Sequence, residues 1–180
     1  MITKPKVLFI CTGNSCRSQM AEGFLRHVAG ESFEALSAGT DPAGVDPDAV
    51  RVMAEKGIDI SRQESKGMKP FLGRHVPYVV TVCDRANERC PIFPGTMKRL
   101  HWSFEDPARA TGTAEQRLAV FRRVRDDVEA HVARFVDEVR SGKRPTGVAE
   151  RLESARDSRA SGTPEKPTEE STGAGPRIRM

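Results

Sequence analysis

The stretch FICTGNSCRS, residues 9–18, places a cysteine, an arginine and a serine around one short loop. It continues the apolar run of residues 7–10, which is typical of a buried strand, and it leads into apolar residues with helical spacing that end near Gly30. A loop between a strand and a helix directs backbone N–H groups and the positive end of the helix dipole toward one point. The sequence therefore predicts an anion loop, residues 11–18, with a cysteine at its base.

The side chains of the anion loop suit a tetrahedral oxyanion. Arg17 can donate two parallel hydrogen bonds from its guanidinium group, and the loop dipoles and Ser18 would stabilise a Cys11 thiolate. We predict that Cys11 is the nucleophile, with a buried strand-end cysteine as the alternative. Gly13 is expected to allow a positive φ or a close backbone approach, and Asn14 to hold the loop rigid. The predicted oxyanion-binding residues are Thr12, Gly13, Asn14, Ser15, Cys16, Arg17 and Ser18.

Composition predicts one folded domain followed by a tail. The 180 residues carry a net charge of +4 with acids and bases interspersed, which does not indicate a nucleic-acid partner. No apolar run is long enough to span a membrane, and the N-terminus lacks a secretory apolar segment. We expect a cytoplasmic monomer with its domain in residues 1–140. Residues 141–180 contain no aromatic side chain and are rich in Gly, Pro, Ser and Thr, so they are expected to be disordered.

Strand and helix patterns alternate along the first 140 residues, which is typical of an α/β fold with a parallel sheet. Strands are predicted at 6–10, 33–37, 78–82 and 98–104, and helices at 18–29, 48–56 and 114–139. Cys11, Cys83 and Asp106 each follow a predicted strand. Because active sites in such sheets lie at the carboxyl ends of the strands, these three residues are expected at one edge.

Three segments, in this order, resemble one group of proteins. They are CTGNSCRSQMAEG at 11–23, TVCDRANERCPIFPG at 81–95 and HWSFEDPA at 101–108. The C-x5-R-S pattern resembles the low-molecular-weight protein tyrosine phosphatases, and the fuller strings resemble the thioredoxin-coupled arsenate reductases built on that fold. The resemblance covers about residues 5–140. It implies a three-layer α/β fold with a central four-stranded parallel sheet and helices on both faces, arsenate as substrate, thioredoxin as the partner that supplies electrons, and no bound cofactor.

The resemblance also assigns a step to each of three cysteines. Cys11 would attack arsenic while Asp106 protonates the departing hydroxide, and Cys83 would then attack the Cys11 sulfur and release arsenite. Cys90 would attack Cys83, leaving a disulfide that thioredoxin reduces. The segment between Cys83 and Cys90 is predicted to be a short mobile loop that could rearrange.

Several alternatives remain at this point. Cys83 and Cys90 could be half of a metal site, although the spacing is unusual for zinc, and Asp106 could cap the turn at Pro107. The alternative functions are hydrolysis of phosphate monoesters and non-catalytic oxyanion binding or redox sensing. Ala108 stands where phosphatases of this fold have tyrosine, so phosphotyrosine is expected to bind weakly.

Some relatives hold a potassium ion beside the anion loop, and this sequence departs from their pattern. Asn14 and Ser37 remain as candidate ligands, whereas Lys66 stands where an acid is expected. We hypothesise that the Lys66 ammonium takes the place of the cation and supports Asn14 and Ser37 directly, with a solvated lysine as the alternative. The histidines, interpreted as surface or helix residues without a triad-like partner, are His27, His75, His101 and His131.

Overall fold

A parallel sheet forms the centre of the molecule in the computed structural model, which describes residues 3–147. The strands are β1 (Lys6–Cys11), β2 (Glu34–Gly39), β3 (Tyr78–Thr81) and β4 (Lys98–His101). Their order is β2-β1-β3-β4, and each neighbouring pair is parallel. The inner strands β1 and β3 are apolar runs because helices cover both faces of the sheet. The predicted three-layer α/β fold is confirmed.

Within residues 3–147, four helices connect and follow the strands: α1 (Arg17–Ala29), α2 (Pro47–Ala54), α3 (Asp84–Arg89) and α4 (Ala114–Arg140). Short 3-10 turns lie at Lys69–Phe71 and Pro107–Arg109. Two sequence predictions need correction. The predicted strand at 98–104 ends at His101, and the predicted loop between Cys83 and Cys90 is helix α3.

The helix N-termini differ in how their backbone N–H groups are satisfied. Asp46 caps α2, and Thr113 forms a capping box with Gln116 at the start of α4. No side chain caps α1, whose N-cap residue is Cys16 in the anion loop. Because the first N–H groups of a helix need partners, this uncapped end is suited to an anion.

Aromatic packing beyond β4 supports the segment that carries Asp106. Trp102 is fully buried, and its ring centroid lies 5.8 Å from that of Phe9 and 6.3 Å from that of Phe104. The imidazole of His131 on α4 packs edge-on against Phe104 at 4.9 Å. These contacts place the chain at residues 102–106 next to the carboxyl ends of β1 and β3.

The chain continues past α4 along that helix. Thr146 donates hydrogen bonds to the Glu138 carboxylate from its N–H and its hydroxyl, both at 3.0 Å. The rest of the predicted tail, residues 148–180, lies outside the described residues. Within the described part of the chain, no helix is long and apolar enough to cross a membrane.

Candidate active site

The sulfur of Cys11 lies at the base of the anion loop, at the end of β1. It accepts a hydrogen bond from the Asn14 N–H at 3.1 Å and lies 2.9 Å from Ser18 Oγ. These groups can stabilise a thiolate, as expected for Ser18. The positive φ in the loop occurs at Asn14, with φ of 44°, and not at Gly13 as the sequence predicted.

The side chain of Asn14 holds this unusual conformation in place. Its Nδ2 donates to Ser18 Oγ and to Ser37 Oγ, each at 2.9 Å. Its Oδ1 accepts from the Lys66 N–H at 2.8 Å and from Gln19 Nε2 at 3.0 Å. All four hydrogen-bonding positions of the fully buried amide are therefore used, which favours one loop conformation.

The close backbone approach predicted for Gly13 occurs instead at Gly39, the last residue of β2. A Cβ atom on Gly39 would lie 2.6 Å from the Thr12 carbonyl oxygen and 2.9 Å from the Asn14 nitrogen. Both contacts are to loop backbone, which cannot move without changing the anion loop. Only glycine fits at this position.

Arg17, the first residue of α1, connects the anion loop to the acid segment. Its Nη1 donates to the Phe104 carbonyl at 3.0 Å, and its Nη2 lies 3.2 Å from Asp106 Oδ2. The other Asp106 oxygen accepts from the Ala108 N–H at 3.3 Å. Asp106 therefore both caps the turn and faces the loop arginine, so its two sequence interpretations do not exclude each other.

Cys83 joins these residues from the end of β3. Its sulfur lies 3.5 Å from Thr12 Oγ1 in the anion loop. A cavity of about 300 Å³ opens here, and Thr12, Arg17, Cys83 and Asp106 are among the residues that line it. The structure thus brings together the residues that the sequence placed at the ends of separate strands.

Cys90 lies at the other end of α3 from Cys83. Cys83 is the residue before the helix and Cys90 is the residue after it. The Cys90 side chain is half-buried, and this burial raises the pKa of its thiol, although nearby Arg99 opposes the shift. Burial also raises the pKa of the Cys16 thiol, which agrees with a loop-filling role for Cys16.

Comparison with known proteins shows the family. The model described as low molecular weight phosphotyrosine protein phosphatase matches residues 6–144. This chain belongs to that family.

Within the family, the similar proteins include arsenate reductases. The arsenate reductase of Shouchella clausii (strain KSM-K16) is 47% identical over 136 residues, which are 76% of this chain and 98% of the relative. A solved structure of an arsenate reductase in the phosphate binding state has a TM-score of 0.62 and 34% identity, over 74% of this chain and 98% of the other. The thioredoxin-dependent arsenate reductase of Corynebacterium glutamicum has a TM-score of 0.60 and 25% identity, over 78% of this chain and 64% of the other.

Sequence reasoning missed two supporting residues on α1. Gln19 is fully buried, and its Nε2 reaches the Asn14 backbone carbonyl and the Glu64 carbonyl at 2.9 and 3.0 Å. Glu22, one turn later, is 4% exposed. The sequence did contain a signal that could have identified them. A polar residue on the apolar side of a helix is expected to be buried and to need hydrogen-bond partners.

Glu22 connects Lys66 to the anion loop. Its carboxylate accepts a hydrogen bond from Ser37 Oγ, which itself accepts from Asn14, and it also contacts Arg26. The Lys66 ammonium lies 3.6 Å from Glu22 Oε2 and donates to the Glu64 carbonyl at 3.1 Å. The ammonium therefore reaches Ser37 and Asn14 through Glu22, whereas the sequence predicted that it supports them directly.

The oxygens expected for a monovalent cation are occupied by other contacts. Asn14 Oδ1 accepts two N–H groups, and Ser37 Oγ accepts from Asn14 while donating to Glu22. Asn14 Oδ1 therefore has no lone pair left for a cation, whereas Ser37 Oγ keeps one. Over residues 3–147, no group of three or more His, Cys, Asp or Glu side chains could hold a metal ion either.

Proposed function

We propose that this protein reduces arsenate to arsenite through a relay of Cys11, Cys83 and Cys90, and that cytoplasmic thioredoxin regenerates the thiols without a bound cofactor. The observation that carries the proposal is the position of Cys83, 3.5 Å from the anion loop and directly before a helix that ends at Cys90. Hydrolysis of a phosphate ester through Cys11 needs water and no second or third thiol. Reduction of arsenate needs two electrons, which a pair of thiols can supply.

The first step forms a bond between Cys11 and arsenic. Arsenate binds at the uncapped N-terminus of α1, and Arg17 exchanges its contact with Asp106 for the anion. The Cys11 thiolate attacks arsenic, one As–O bond breaks, and the hydroxide leaves as water after Asp106 donates a proton.

The next two steps move the electrons. The Cys83 thiolate attacks Cys11 Sγ, the S–As electron pair stays on arsenic, and arsenite leaves as a Cys11–Cys83 disulfide forms. Cys90 then attacks Cys83 Sγ, which returns Cys11 to the thiolate and leaves a Cys83–Cys90 disulfide. Thioredoxin reduces that disulfide by the same exchange.

The last exchange requires α3 to change conformation. Seven helical steps at a rise of about 1.5 Å separate Cys83 from Cys90 by about 10 Å. The Cα atoms of a disulfide lie about 4.4–6.8 Å apart. The helix must therefore unwind at least partly, so the rearrangement expected from the sequence applies to a helix and not to a loop.

The test is arsenate-dependent NADPH oxidation with thioredoxin and thioredoxin reductase. Wild-type protein is expected to turn over continuously, and Cys83→Ser is expected to show none. Aryl-phosphate hydrolysis serves as the control, since Cys83→Ser keeps the anion loop and should retain any such activity while Cys11→Ser loses it. Absence of arsenate turnover in the wild type, together with hydrolysis that Cys83→Ser leaves unchanged, would assign the protein to the phosphatases instead.

We also propose that the Lys66 ammonium serves as a built-in cation for Glu22. A buried carboxylate without a counter-charge is costly, and Lys66 and Arg26 both contact this one. Wild-type activity should therefore be the same in potassium and sodium buffers of equal ionic strength. Specific activation by potassium would contradict this role.

Lys66→Met is expected to lower the free energy of unfolding, because it removes the ammonium and keeps a side chain of similar length. The loss should stay below the about 3–5 kcal/mol typical of a broken buried pair, since Arg26 still contacts Glu22. Lys56→Met is the control, because its pair with Glu129 is exposed and worth about 0–1 kcal/mol. Equal denaturation midpoints for the two variants would show that Lys66 is only a solvated lysine.

A further inference from the structure

The helix between the two relay cysteines is too short to be stable alone. It contains six residues, and isolated helices below about 12–15 residues are marginal in water. Contacts with the rest of the protein must therefore hold α3 in its helical form. The helix packs against β1 and β3. Side chains from β4, the edge strand beside β3, and from the residues that follow it add hydrogen bonds to α3.

The first turn of α3 is held through Asp84. Asp84 Oδ1 accepts hydrogen bonds from His101 Nε2 at 2.9 Å and from Ser103 Oγ at 2.8 Å. These two bonds, that of Ser103 first, lower the pKa of the Asp84 carboxyl, so it is an ionised acceptor. The sequence interpreted His101 as a surface or helix residue without a triad-like partner. It lies instead on β4, where its ring bridges two elements.

The other ring nitrogen of His101 continues the connection. His101 Nδ1 lies 2.8 Å from Thr81 Oγ1 on β3, and Thr81 Oγ1 lies 3.1 Å from Asn87 Oδ1 on α3. The imidazole thus links the start of α3, through Asp84, with its last turn, through Thr81 and Asn87.

The last turn of α3 is held by Arg99. Arg99 Nη2 donates to the Asn87 backbone carbonyl at 2.7 Å and to Asn87 Oδ1 at 3.2 Å. That carbonyl is one of the last four of the helix, which have no partner within the helix itself. Arg99, His101 and Ser103 alternate along the chain, so in extended backbone their side chains lie on the same side.

We propose that Arg99, His101 and Ser103 form a clamp that keeps α3 helical while Cys83 and Cys90 are thiols, and that the clamp opens when the two cysteines join. The clamp rests on the proposed relay for its function. The clamp residues position α3 and do not react themselves, because none of the three contacts Cys11 in the hydrogen-bond network described above. When the clamp opens, α3 and its hydrogen bonds with Arg99, His101 and Ser103 are lost, and one disulfide forms.

The clamp makes the helical dithiol form more stable than the unwound disulfide form. Removal of a clamp contact should therefore shift the thiol–disulfide equilibrium of Cys83 and Cys90 toward the disulfide. In mixtures of oxidised and reduced dithiothreitol, the two thiols lose two protons and two electrons. The cyclic oxidised reagent takes them up and becomes the dithiol.

The experiment measures this equilibrium in a Cys11→Ser background, so that Cys11 cannot form a disulfide with Cys83. The variants are Arg99→Met, His101→Phe and Ser103→Ala, none of which changes a residue between Cys83 and Cys90. We expect each to raise the disulfide-to-dithiol ratio, by about two- to tenfold for contacts that are partly exposed. Lys56→Met, which removes two ion pairs between the turn after α2 and α4, is the control and should leave the ratio unchanged.

Hydrogen exchange of the α3 amides in the reduced protein gives a second measurement. The variant with the largest rise in the disulfide-to-dithiol ratio should show the largest loss of protection in α3. Protection in β1 and β3 should stay the same in every variant. Unchanged ratios together with unchanged α3 protection would overturn the clamp. Because neither measurement uses arsenate or thioredoxin, a failure of the proposed reductase activity would be recognised separately.

Discussion

Replacement of Cys90 by serine is expected to leave a protein that releases one arsenite and then stops. Cys11 and Cys83 remain, so arsenate binding, attack on arsenic and formation of the Cys11–Cys83 disulfide all proceed. Serine cannot attack that disulfide, so Cys11 stays oxidised. The measurement is arsenite released per protein molecule, with free thiols counted before and after and the disulfide located by peptide mapping.

Two other variants serve as comparisons for Cys90→Ser. Cys11→Ser should release no arsenite and lose no thiols. Cys83→Ser should also release no arsenite, because no second thiol is present to attack the arsenic-bound sulfur of Cys11. Continuous turnover of Cys90→Ser with thioredoxin would show that the partner reduces the first disulfide directly. The third cysteine and the unwinding of α3 would then have no place in the relay.

Replacement of Asp106 by asparagine is expected to lower kcat by about 10²–10⁴-fold, the usual contribution of a general acid. Asparagine keeps an oxygen that can accept from the Ala108 N–H, so the turn at Pro107 should persist. The substitution also removes the negative charge beside Arg17, which frees the guanidinium for an oxyanion. Binding of sulfate or phosphate should therefore be retained or strengthened while catalysis falls.

This opposite behaviour of catalysis and binding separates the two roles of Asp106. Single-turnover thiol loss reports the first chemical step, and calorimetric titration with sulfate reports the anion site. Asp59→Asn is a matched control, because Asp59 accepts from the N–H two residues later in the same way but lies on an exposed turn. If Asp106→Asn reacted as fast as the wild type, Asp106 would only cap the turn.

Several of the residues that we propose to react are close together in the chain, and for that reason the sequence indicates them. Cys11, Arg17 and Ser18 of the anion loop lie within eight residues of chain, between a strand and a helix that the sequence pattern predicts. Strands that alternate with helices indicate a parallel sheet, and such a sheet brings Cys11, Cys83 and Asp106 to one edge.

Contacts between distant segments decided what the sequence could not. The steric limit lies at Gly39 and not at Gly13, because the end of β2 packs on the loop backbone. Glu22 and Gln19 support Asn14 only because α1 turns their side chains toward residues 37 and 63–66.

The state of the segment between Cys83 and Cys90 depends most strongly on tertiary structure. By composition alone it is a short polar stretch, and the sequence predicts a mobile loop. In the structure it is a helix that packs against β1 and β3 and is hydrogen-bonded to side chains from β4. The sequence by itself indicated the residues that we propose to react, whereas the tertiary structure determined how they are held. The physical reason is that a loop or helix this short takes its conformation from the surfaces against which it packs.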